Sequence, residues 1–438
     1  MSLSTVPHLT TALTGPLQHI ESHLLDHQAE IEHWFRSQWL ATPAPFYGSV
    51  DLRNAGFKLA PVDTNLFPAG FNNLNEAFHP LCVQAIQSVI ERVCPRVARI
   101  VLVPENHTRN RFYLESVATL AGLIARAGFE VRIGSLLPDL ASPQTITLDS
   151  GRSLLLEPLQ RRGNRVCLDN FDPCLVLLNN DLSGGRPALL EGLEQRVLPP
   201  LALGWSNRLK SGHFTQYRAI AEAFANLVEI DPWLIDPIFR NCGEIDFMQR
   251  EGEECLAHHT SLMLNSLRDK YREYGIDHDP FVVIKADAGT YGMGVMTVTD
   301  ADQLHALNRK QRTRMSSAKE GMAVSHVILQ EGVYSFETWG PQEAVAEPVV
   351  YLIDHFVVGG FYRVHKGRGP NENLNAPGMH FEPLAFADSC NLPDASRAPD
   401  AEPNRFYAYG VIARLALLAA AREAAAVAET HLDPTEGG

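Results

Sequence analysis

The stretch FVVIKADAGTYGMGVMTV, residues Phe281–Val298, decides how the second half of the chain is interpreted. An apolar strand runs into Lys285, a loop with three glycines follows, and a second strand leaves. Glycines let backbone N–H groups approach a polyphosphate, and a lysine adds a point charge. The spacing is neither that of a P-loop nor that of the dinucleotide fingerprint, and an ordinary hairpin is the alternative. We predict a nucleotide-phosphate site formed by Lys285, Gly289, Thr290, Tyr291, Gly292, Met293 and Gly294.

Two later segments favour the phosphate interpretation over the hairpin. The strand VILQEGV, residues Val327–Val333, ends in polar residues that can face an adenine edge and a ribose, although a solvated strand end is the plainer reading. The segment Phe361–Gly378 contains three cations and three asparagines, in a chain whose net charge is −14. An anionic phosphate explains such a cluster better than a solvated basic loop does. The predicted nucleotide contacts in these segments are Gln330, Glu331, Val333, Asn373 and Asn375, and the three cations are Arg363, Lys366 and Arg368.

The order of these segments along the chain resembles the order found in the nucleotide site of ATP-grasp proteins. The resemblance covers most of residues 205–380. Lys210 stands where such folds place an earlier nucleotide-contacting lysine. Asp354–Gly378 looks like the part of bacterial glutathione synthetases in which an arginine and an Asn-Leu-x-Ala-x-Gly run approach the phosphoryl group. The resemblance implies ATP and Mg²⁺ as cofactors.

ATP-grasp ligases usually finish with an Asp on one strand and a Glu-x-Asn on the next, and no such pair follows Gly378. A hairpin near the N-terminus offers a replacement, with Asp51 on its first arm and Asp63 and Asn65 on its second. Residues two apart on a strand point to one face, and their oxygens suit magnesium. Turn and strand-end carboxylates are the alternative.

The residues that follow Asn65 resemble the residues that follow the Glu-x-Asn motif in eukaryotic-type glutathione synthetases. The chain of those enzymes is circularly permuted. We therefore hypothesise that the early hairpin completes the metal site of the later nucleotide-binding region.

Residues 1–430 as a whole resemble the proteobacterial glutamate–cysteine ligase family. The resemblance rests on VDTNLFPAGFNNL (Val62–Leu74), IKADAGTYGMGV (Ile284–Val295) and NLNAPG (Asn373–Gly378). It implies that ATP phosphorylates the side-chain carboxylate of glutamate and that the amine of cysteine then displaces phosphate. The expected product is γ-glutamylcysteine, in the first step of glutathione biosynthesis.

Phosphoryl transfer asks a protein mainly for positioning and charge neutralisation, so no Cys or Ser nucleophile is required. We assign Lys285 to the phosphates, Arg363 to the acyl phosphate and Arg53 to a substrate carboxylate, while a structural surface arginine is an equal interpretation of Arg53. Two alternatives stay open. One is another ATP-grasp carboxylate–amine ligase, such as a glutathione synthetase-like or amino-acid ligase enzyme, and the other is a non-catalytic nucleotide-binding regulatory module.

The predicted fold is α/β, and α+β in the C-terminal part. It is ATP-grasp-like and circularly permuted, with a doubly wound substrate lobe where strands and helices alternate between Arg99 and Trp205. The expected domains are a helical segment (1–45, with one amphipathic helix over Gly15–Trp39), a hairpin and helix (46–97), the doubly wound lobe (98–205) and the nucleotide-binding region (206–438). The apolar stretch Val411–Val427 predicts a surface or packing helix, and 391–404 a mobile linker.

The composition and net charge of the chain limit the classes of molecule that it is expected to bind. A net charge of −14 with no basic stripe argues against nucleic acid and anionic membranes, which leaves small-molecule substrates; a homo-oligomer is compatible with the sequence. The absence of a secretion signal and of a 20-residue apolar run predicts a cytoplasmic protein. Seven scattered cysteines predict reduced thiols without a metal site, and His258–His259 is interpreted as structural because adjacent helical positions diverge.

Overall fold

The computed structural model describes residues 16–96, 98–106, 109–289, 294–316, 324–383 and 405–430. The predicted linker at 391–404 lies outside these residues. Within them, no helix combines the length and the apolar character that crossing a membrane would need.

The described part of the chain forms α-helices of very different lengths. They are α1 (Pro16–Asp26), α2 (Gln28–Ala41), α3 (His79–Val93), α4 (Arg111–Arg126), α5 (Lys210–Leu227), α6 (Glu253–Glu273), α7 (Asp302–His305), α8 (Arg309–Met315) and α9 (Arg405–Thr430). The single helix predicted over Gly15–Trp39 was wrong in one respect, because the chain breaks into α1 and α2 at His27. The predicted amphipathic character is nevertheless present, because Ile20, Leu24, Ile31 and Phe35 are all buried in one core.

The first sheet, which we call the antiparallel sheet, joins segments from distant parts of the chain. It contains β1 (Tyr47–Asn54), β2 (Leu59–Asn65), β15 (Thr338–Trp339), β16 (Ala344–Ile353), β17 (Phe356–His365) and β18 (His380–Pro383). The strand order is β18-β17-β16-β1-β2, with β15 beside β16. The predicted early hairpin is therefore confirmed as β1–β2, and Gly56 (φ 77°) supplies the left-handed residue of its turn.

The second sheet, the parallel sheet, fills residues 99–198. Its strands are β3 (Arg99–Pro104), β4 (Glu130–Ser135), β5 (Gln144–Thr147), β6 (Ser153–Pro158), β9 (Leu175–Asn179) and β10 (Arg196–Leu198), and a separate two-stranded ribbon consists of β7 (Gln160–Arg162) and β8 (Arg165–Cys167). The order is β10-β9-β3-β4-β6-β5, and every pairing is parallel except that of β5 with β6.

The mainly parallel sheet was predicted, but the doubly wound arrangement is not confirmed. One face, with Ile100 and Leu102, packs on α3 and α4. The other face, with Val101 and Val103, packs on irregular segments and on Ala420 of α9. The described crossover helices thus do not cover both faces.

The third sheet, the four-stranded sheet, is antiparallel and local in sequence. It contains β11 (Phe239–Glu244), β12 (Val282–Ala286), β13 (Val295–Val298) and β14 (His326–Glu331), in the order β11-β14-β12-β13. Helix α6 packs on β11, β12 and β14 through Leu256, Met263 and Leu267, which are buried. The two strands predicted on either side of the glycine-rich loop are confirmed as β12 and β13.

Helix α9 lies at the centre of the molecule. Every residue from Tyr407 to Ala421 is buried, and the helix packs against α1, α5, β1 and β2. Alanines let those elements approach closely, so of the two interpretations of Val411–Val427 the packing helix is correct.

Candidate active site

A cavity opens between the antiparallel sheet and the four-stranded sheet. It gathers residues that are far apart in sequence, and most of the predicted site residues are among them. The lining residues are Asp51, Arg53, Val62, Asp63, Lys210, Val283, Lys285, Ala286, Gly289, Val295, Thr297, Gln330, Glu331, Val333, Glu347, Arg363, Asn371, Glu372, Asn373 and Asn375.

The antiparallel sheet contributes what we call the carboxylate wall: Asp51, Asp63 and Glu347, with Arg53 and Arg363. Asp51 and Asp63 are direct cross-strand partners on β1 and β2, and Glu347 faces Arg363 across β16 and β17. Because β1 pairs with β16, the two pairs lie side by side. The wall is therefore created by sheet register and not by sequence proximity.

The arginines of the carboxylate wall are held by its acids. The Arg363 Nη1 donates to Asp51 Oδ2 at 2.9 Å and to Glu347 Oε2 at 3.5 Å. Burial by itself would lower the pKa of Arg363, but Asp51 and Glu347 outweigh it and raise that pKa. Arg53 forms an ion pair with Glu347 and donates to the carbonyl oxygens of Val333 and Glu372. The predicted grip of Arg53 on a substrate carboxylate stays a prediction, since its guanidinium already has these partners.

The two aspartates differ in electrostatics although they are neighbours. Burial raises the pKa of Asp51, and the nearby Asp63 and Glu347 add to this effect, against the lowering by Arg363. Burial also acts to raise the pKa of Asp63, but Lys210, Lys285 and Arg208 outweigh it and lower that pKa. Asp63 is thus the more strongly ionised carboxylate, and it faces the cations across the cavity.

The opposite side of the cavity is the lysine wall: Lys210, Lys285, Gln330 and Glu331. Lys285 lies on β12 and donates from Nζ to the carbonyl oxygen of Val62 at 2.7 Å. Burial lowers its pKa to about 8, with Asp63 opposing and Lys210 adding to the decrease. Lys210 is the first residue of α5; its Nζ donates to the carbonyl oxygen of Gly289 and lies 4.2 Å from the centre of the Trp205 ring.

Asp287, which sequence reasoning missed, fixes the start of α5 beside the glycine loop. Its carbonyl oxygen accepts from the Lys210 N–H at 2.8 Å, and its carboxylate accepts from the N–H and the hydroxyl of Ser211 at 2.7 Å each. Its carboxylate therefore acts on the position of Lys210 and not on a ligand. Asp287 lies within the quoted glycine-rich stretch, where an acid between a lysine and a glycine is the signal that could have found it.

The end of β14 presents two unpaired polar atoms to the cavity. Glu331 accepts from Lys58 Nζ at 2.7 Å through Oε2, and the same oxygen accepts from the Ile238 N–H. Its Oε1 and the Nε2 of Gln330 are buried without a hydrogen-bond partner among the described residues. Buried polar groups are normally paired, and both residues line the cavity. The predicted nucleotide edge is consistent with this geometry.

The three cations of the segment Phe361–Gly378 do not form one cluster. Arg363 lines the cavity, whereas Arg368 forms a salt bridge with Glu372 and Lys366 is exposed and does not line the cavity. Of the three cations that we expected to meet an anionic phosphate, Arg363 alone lines the cavity, because the chain turns out of the sheet after His365, and its contact with phosphate stays a prediction. The neighbouring Asn373 and Asn375 do line the cavity.

Asn65 and Gly294 are predicted site residues that do not line the cavity, and four more predicted residues fall outside the part of the chain that the structure describes. Asn65 does not line the cavity; its side chain accepts from the Phe67 N–H at 2.9 Å and donates to the Phe67 carbonyl oxygen, which closes a local turn. Gly294 has a left-handed φ of 62° but is not a lining residue. Thr290, Tyr291, Gly292 and Met293 lie outside the described residues.

Glu347 is the functional candidate that sequence reasoning missed. It lies in β16, a strand whose ten residues are all buried, and it was hidden within an apolar run. A single acid in such a strand, placed in register with Arg363, was the signal available. Carboxylates placed for a hard cation, lysines placed for phosphates and an arginine between them are what an ATP-dependent ligase requires, and this is the class of enzyme that fold and site together define.

The chain belongs to the glutamate-cysteine ligase family, whose model (GshA) matches residues 21–424. A solved structure from Methylobacillus flagellatus, described provisionally as a γ-glutamylcysteine synthetase, is 61% identical in sequence, with a TM-score of 0.89 over 97% of this chain and 99% of that one. A search of curated proteins found no match.

Two other solved structures are far less similar. A glutathione synthetase-like effector from Globodera pallida has 9% identity and a TM-score of 0.36, over 84% of this chain and 79% of that one. A D-alanyl-alanine synthetase from Vibrio cholerae has 10% identity and a TM-score of 0.33, over 73% and 81%.

Proposed function

We propose that this chain forms γ-glutamylcysteine from glutamate and cysteine in the cavity between the carboxylate wall and the lysine wall, at the expense of ATP. The observation that carries the proposal is the meeting of five carboxylates, three of them in the carboxylate wall, with four cations in one cavity, from segments as far apart as Asp51 and Arg363. Membership of the glutamate-cysteine ligase family supplies the substrates.

The residues present suit a magnesium ion and a nucleotide. Asp51, Asp63 and Glu347 offer hard oxygen atoms, which magnesium prefers, and we assign them as its ligands. When bound, magnesium neutralises phosphate charge. Lys210 and Lys285 are assigned to the phosphates, and the unpaired Oε1 of Glu331 and Nε2 of Gln330 to the ribose and base.

The proposed chemistry has two steps. A side-chain carboxylate oxygen of glutamate takes the terminal phosphoryl group of ATP, which leaves ADP and an acyl phosphate. The cysteine amine then attacks the acyl carbon, phosphate departs, and the amine loses a proton. Arg363 lies between Asp51 and Glu347, where a guanidinium stabilises the negative charge that develops on the transferring group.

The test uses the purified full chain with ATP, magnesium and single amino acids, and then pairs of amino acids. We expect phosphate release only with glutamate plus cysteine, together with a dipeptide of the mass of γ-glutamylcysteine. Release with another pair would retain the ligase and change its substrates. ATP binding without turnover for any pair would contradict the proposal and favour a regulatory nucleotide-binding module.

A further inference from the structure

Three metal-binding side chains meet outside the active site, on the side of the four-stranded sheet that faces α6. Cys242 lies on β11, and Cys255 and His259 lie on α6. Their ligand atoms are all within 4.8 Å of one another. None of the three lines the cavity described above.

The fold explains why residues with no close spacing in sequence come together. Cys255 and His259 are four residues apart, so they project from one face of α6. The pairing of β11 with β14 shifts register between Cys242 and Glu244, next to the strand cysteine. The Cys242 side chain is buried in the core between this sheet and α6. The pair His258–His259 misled sequence reasoning, because the relevant partner of His259 is one turn away and not adjacent.

The spacing of the sulfur atoms, which form a thiol–sulfur hydrogen bond in this structure, matches that of two thiolates on one metal ion. The Cys242 and Cys255 Sγ atoms are 3.9 Å apart. Zinc–thiolate bonds of about 2.3 Å in a tetrahedron place two sulfurs roughly 3.8 Å apart, whereas a disulfide requires about 2.05 Å. Both cysteines are free thiols in this structure.

The histidine adds an independent observation. The Nδ1 atom of His259 is buried and has no hydrogen-bond partner among the described residues. A buried ring nitrogen without a partner is costly, and a metal ion beside two thiolates would provide the missing interaction.

We propose that Cys242, Cys255 and His259 bind one zinc ion, whose fourth position is open to solvent. Cys255 is exposed, so the ion can enter from the surface and take water as its fourth ligand. The ion would link β11 to α6 and so brace the sheet that also carries Lys285. Its role is structural, and it is separate from the magnesium of the proposed reaction.

The test measures metal binding directly and does not depend on ligase activity. The full-length protein is stripped with a chelator under reducing conditions and titrated with Co²⁺, a spectroscopic substitute for zinc. We expect one equivalent per chain, a thiolate-to-cobalt charge-transfer band, tetrahedral visible bands, and loss of all of them when Zn²⁺ is added. Zinc should also raise the Tm of the wild-type protein.

Two variants and one control connect the signal to the proposed ligands. Cys255→Ser, at an exposed position, should reduce the charge-transfer band, and His259→Gln should keep the band but weaken Co²⁺ binding at least about 10-fold. Cys174→Ser, a part-buried cysteine of another core, should behave as wild type. Circular dichroism checks that each variant is folded.

Three results would overturn the proposal. The first is the absence of stoichiometric Co²⁺ binding in the wild-type protein. The second is an unchanged band and affinity in both Cys255→Ser and His259→Gln. The third is formation in air of a Cys242–Cys255 disulfide, seen by mass spectrometry, in a protein that does not bind Zn²⁺ when reduced. If Cys255→Ser fails to fold, His259→Gln and the wild-type titration still decide the matter.

Discussion

The two walls of the active-site cavity are built in opposite ways. The carboxylate wall depends on register between strands of the antiparallel sheet, and its Asp51–Arg363 contact spans 312 residues. The lysine wall comes from residues 210–331, in which β11 to β14 form a local sheet with α5 beside it. A contact made by long-range register is invisible to a motif, whereas a local wall can be recognised from the order of its segments.

The walls also differ in how their charges are balanced. In the carboxylate wall, arginines are paired with Asp51 and Glu347. In the lysine wall, Lys285 and Lys210 donate to the main-chain oxygens of Val62 and Gly289, which carry no net charge. The lysine wall is therefore prepared to accept an anion, while the carboxylate wall needs a cation. We expect changes in the carboxylate wall to reduce turnover more than nucleotide binding, and changes in the lysine wall to do the reverse.

The largest expected effect is that of Asp63→Asn. Asp63 faces both lysines, and loss of its charge should remove a magnesium ligand worth about 4 kcal/mol, or roughly 10³-fold in kcat. Phosphate release across a magnesium titration measures this, with ATP binding retained. The matched control is Asn65→Ala on the same strand, whose side chain closes a local turn. Near-normal turnover in Asp63→Asn, or equal damage in Asn65→Ala, would contradict the assignment.

The second-largest effect is expected from a substitution that removes a contact between the two walls. Lys58 is fully buried, donates to Glu331 and lies 4.5 Å from the centre of the Trp233 ring, so it ties the β1–β2 hairpin to the lysine wall. Lys58→Met would leave Glu331 buried without its ion pair, at a cost of about 3–5 kcal/mol in the free energy of unfolding.

Urea denaturation at constant m-value measures that loss of stability. Lys366→Met, at an exposed position, is the control and should change stability by less than about 0.5 kcal/mol. A stable Lys58→Met protein would mean that the two walls are held together by other contacts.

A smaller effect is expected from Arg363→Lys. The ammonium keeps the charge but loses the planar guanidinium, whose Nη1 donates to both Asp51 and Glu347. We expect kcat to fall about 100-fold with little change in the KM for ATP. Arg368→Lys is the control, because Arg368 pairs with Glu372 near the surface. A fall in ATP affinity instead of kcat would place Arg363 with the lysine wall in function.

The smallest effect is a pH dependence of ATP binding to the free enzyme. Burial lowers the pKa of Lys285 to about 8, so its charge is present below pH 8 and is lost above it. Calorimetric titration should show ATP affinity falling by up to about tenfold from pH 7 to pH 9. Lys285→Arg stays charged throughout this range and should lack the decrease. The same decrease in both proteins would assign it to another group.

The contrast between the walls also explains what could be predicted from the sequence. The order of the segments that carry Lys285, Gln330 and Glu331 predicted these residues of the lysine wall, whereas Lys210 came from the ATP-grasp resemblance. The position of Asp51 beside Arg363 needed the family resemblance, since no local pattern brings them together.

The residues that sequence reasoning missed or placed differently from the structure share one physical cause, which is side-chain direction. Glu347 was overlooked because a strand buried on both faces looks uniformly apolar, and only its register with Arg363 reveals its role. Asn65 was predicted from strand alternation, but at the strand end its amide serves its own turn. The structural interpretation of His259 compared it with His258 and not with Cys255, one helical turn away, and the proposed Co²⁺ titration decides between the two roles.

The 312-residue separation between Asp51 and Arg363 has a consequence for biosynthesis. At about 5–20 residues per second, a ribosome that has made the β1–β2 hairpin needs roughly 15–60 s to produce the strands that flank it. During that time the edge of β1 that later pairs with β16 has no native partner. The hairpin must therefore stay unaggregated on the nascent chain, and slow synthesis or delayed chaperone release would expose this edge before the catalytic centre is complete.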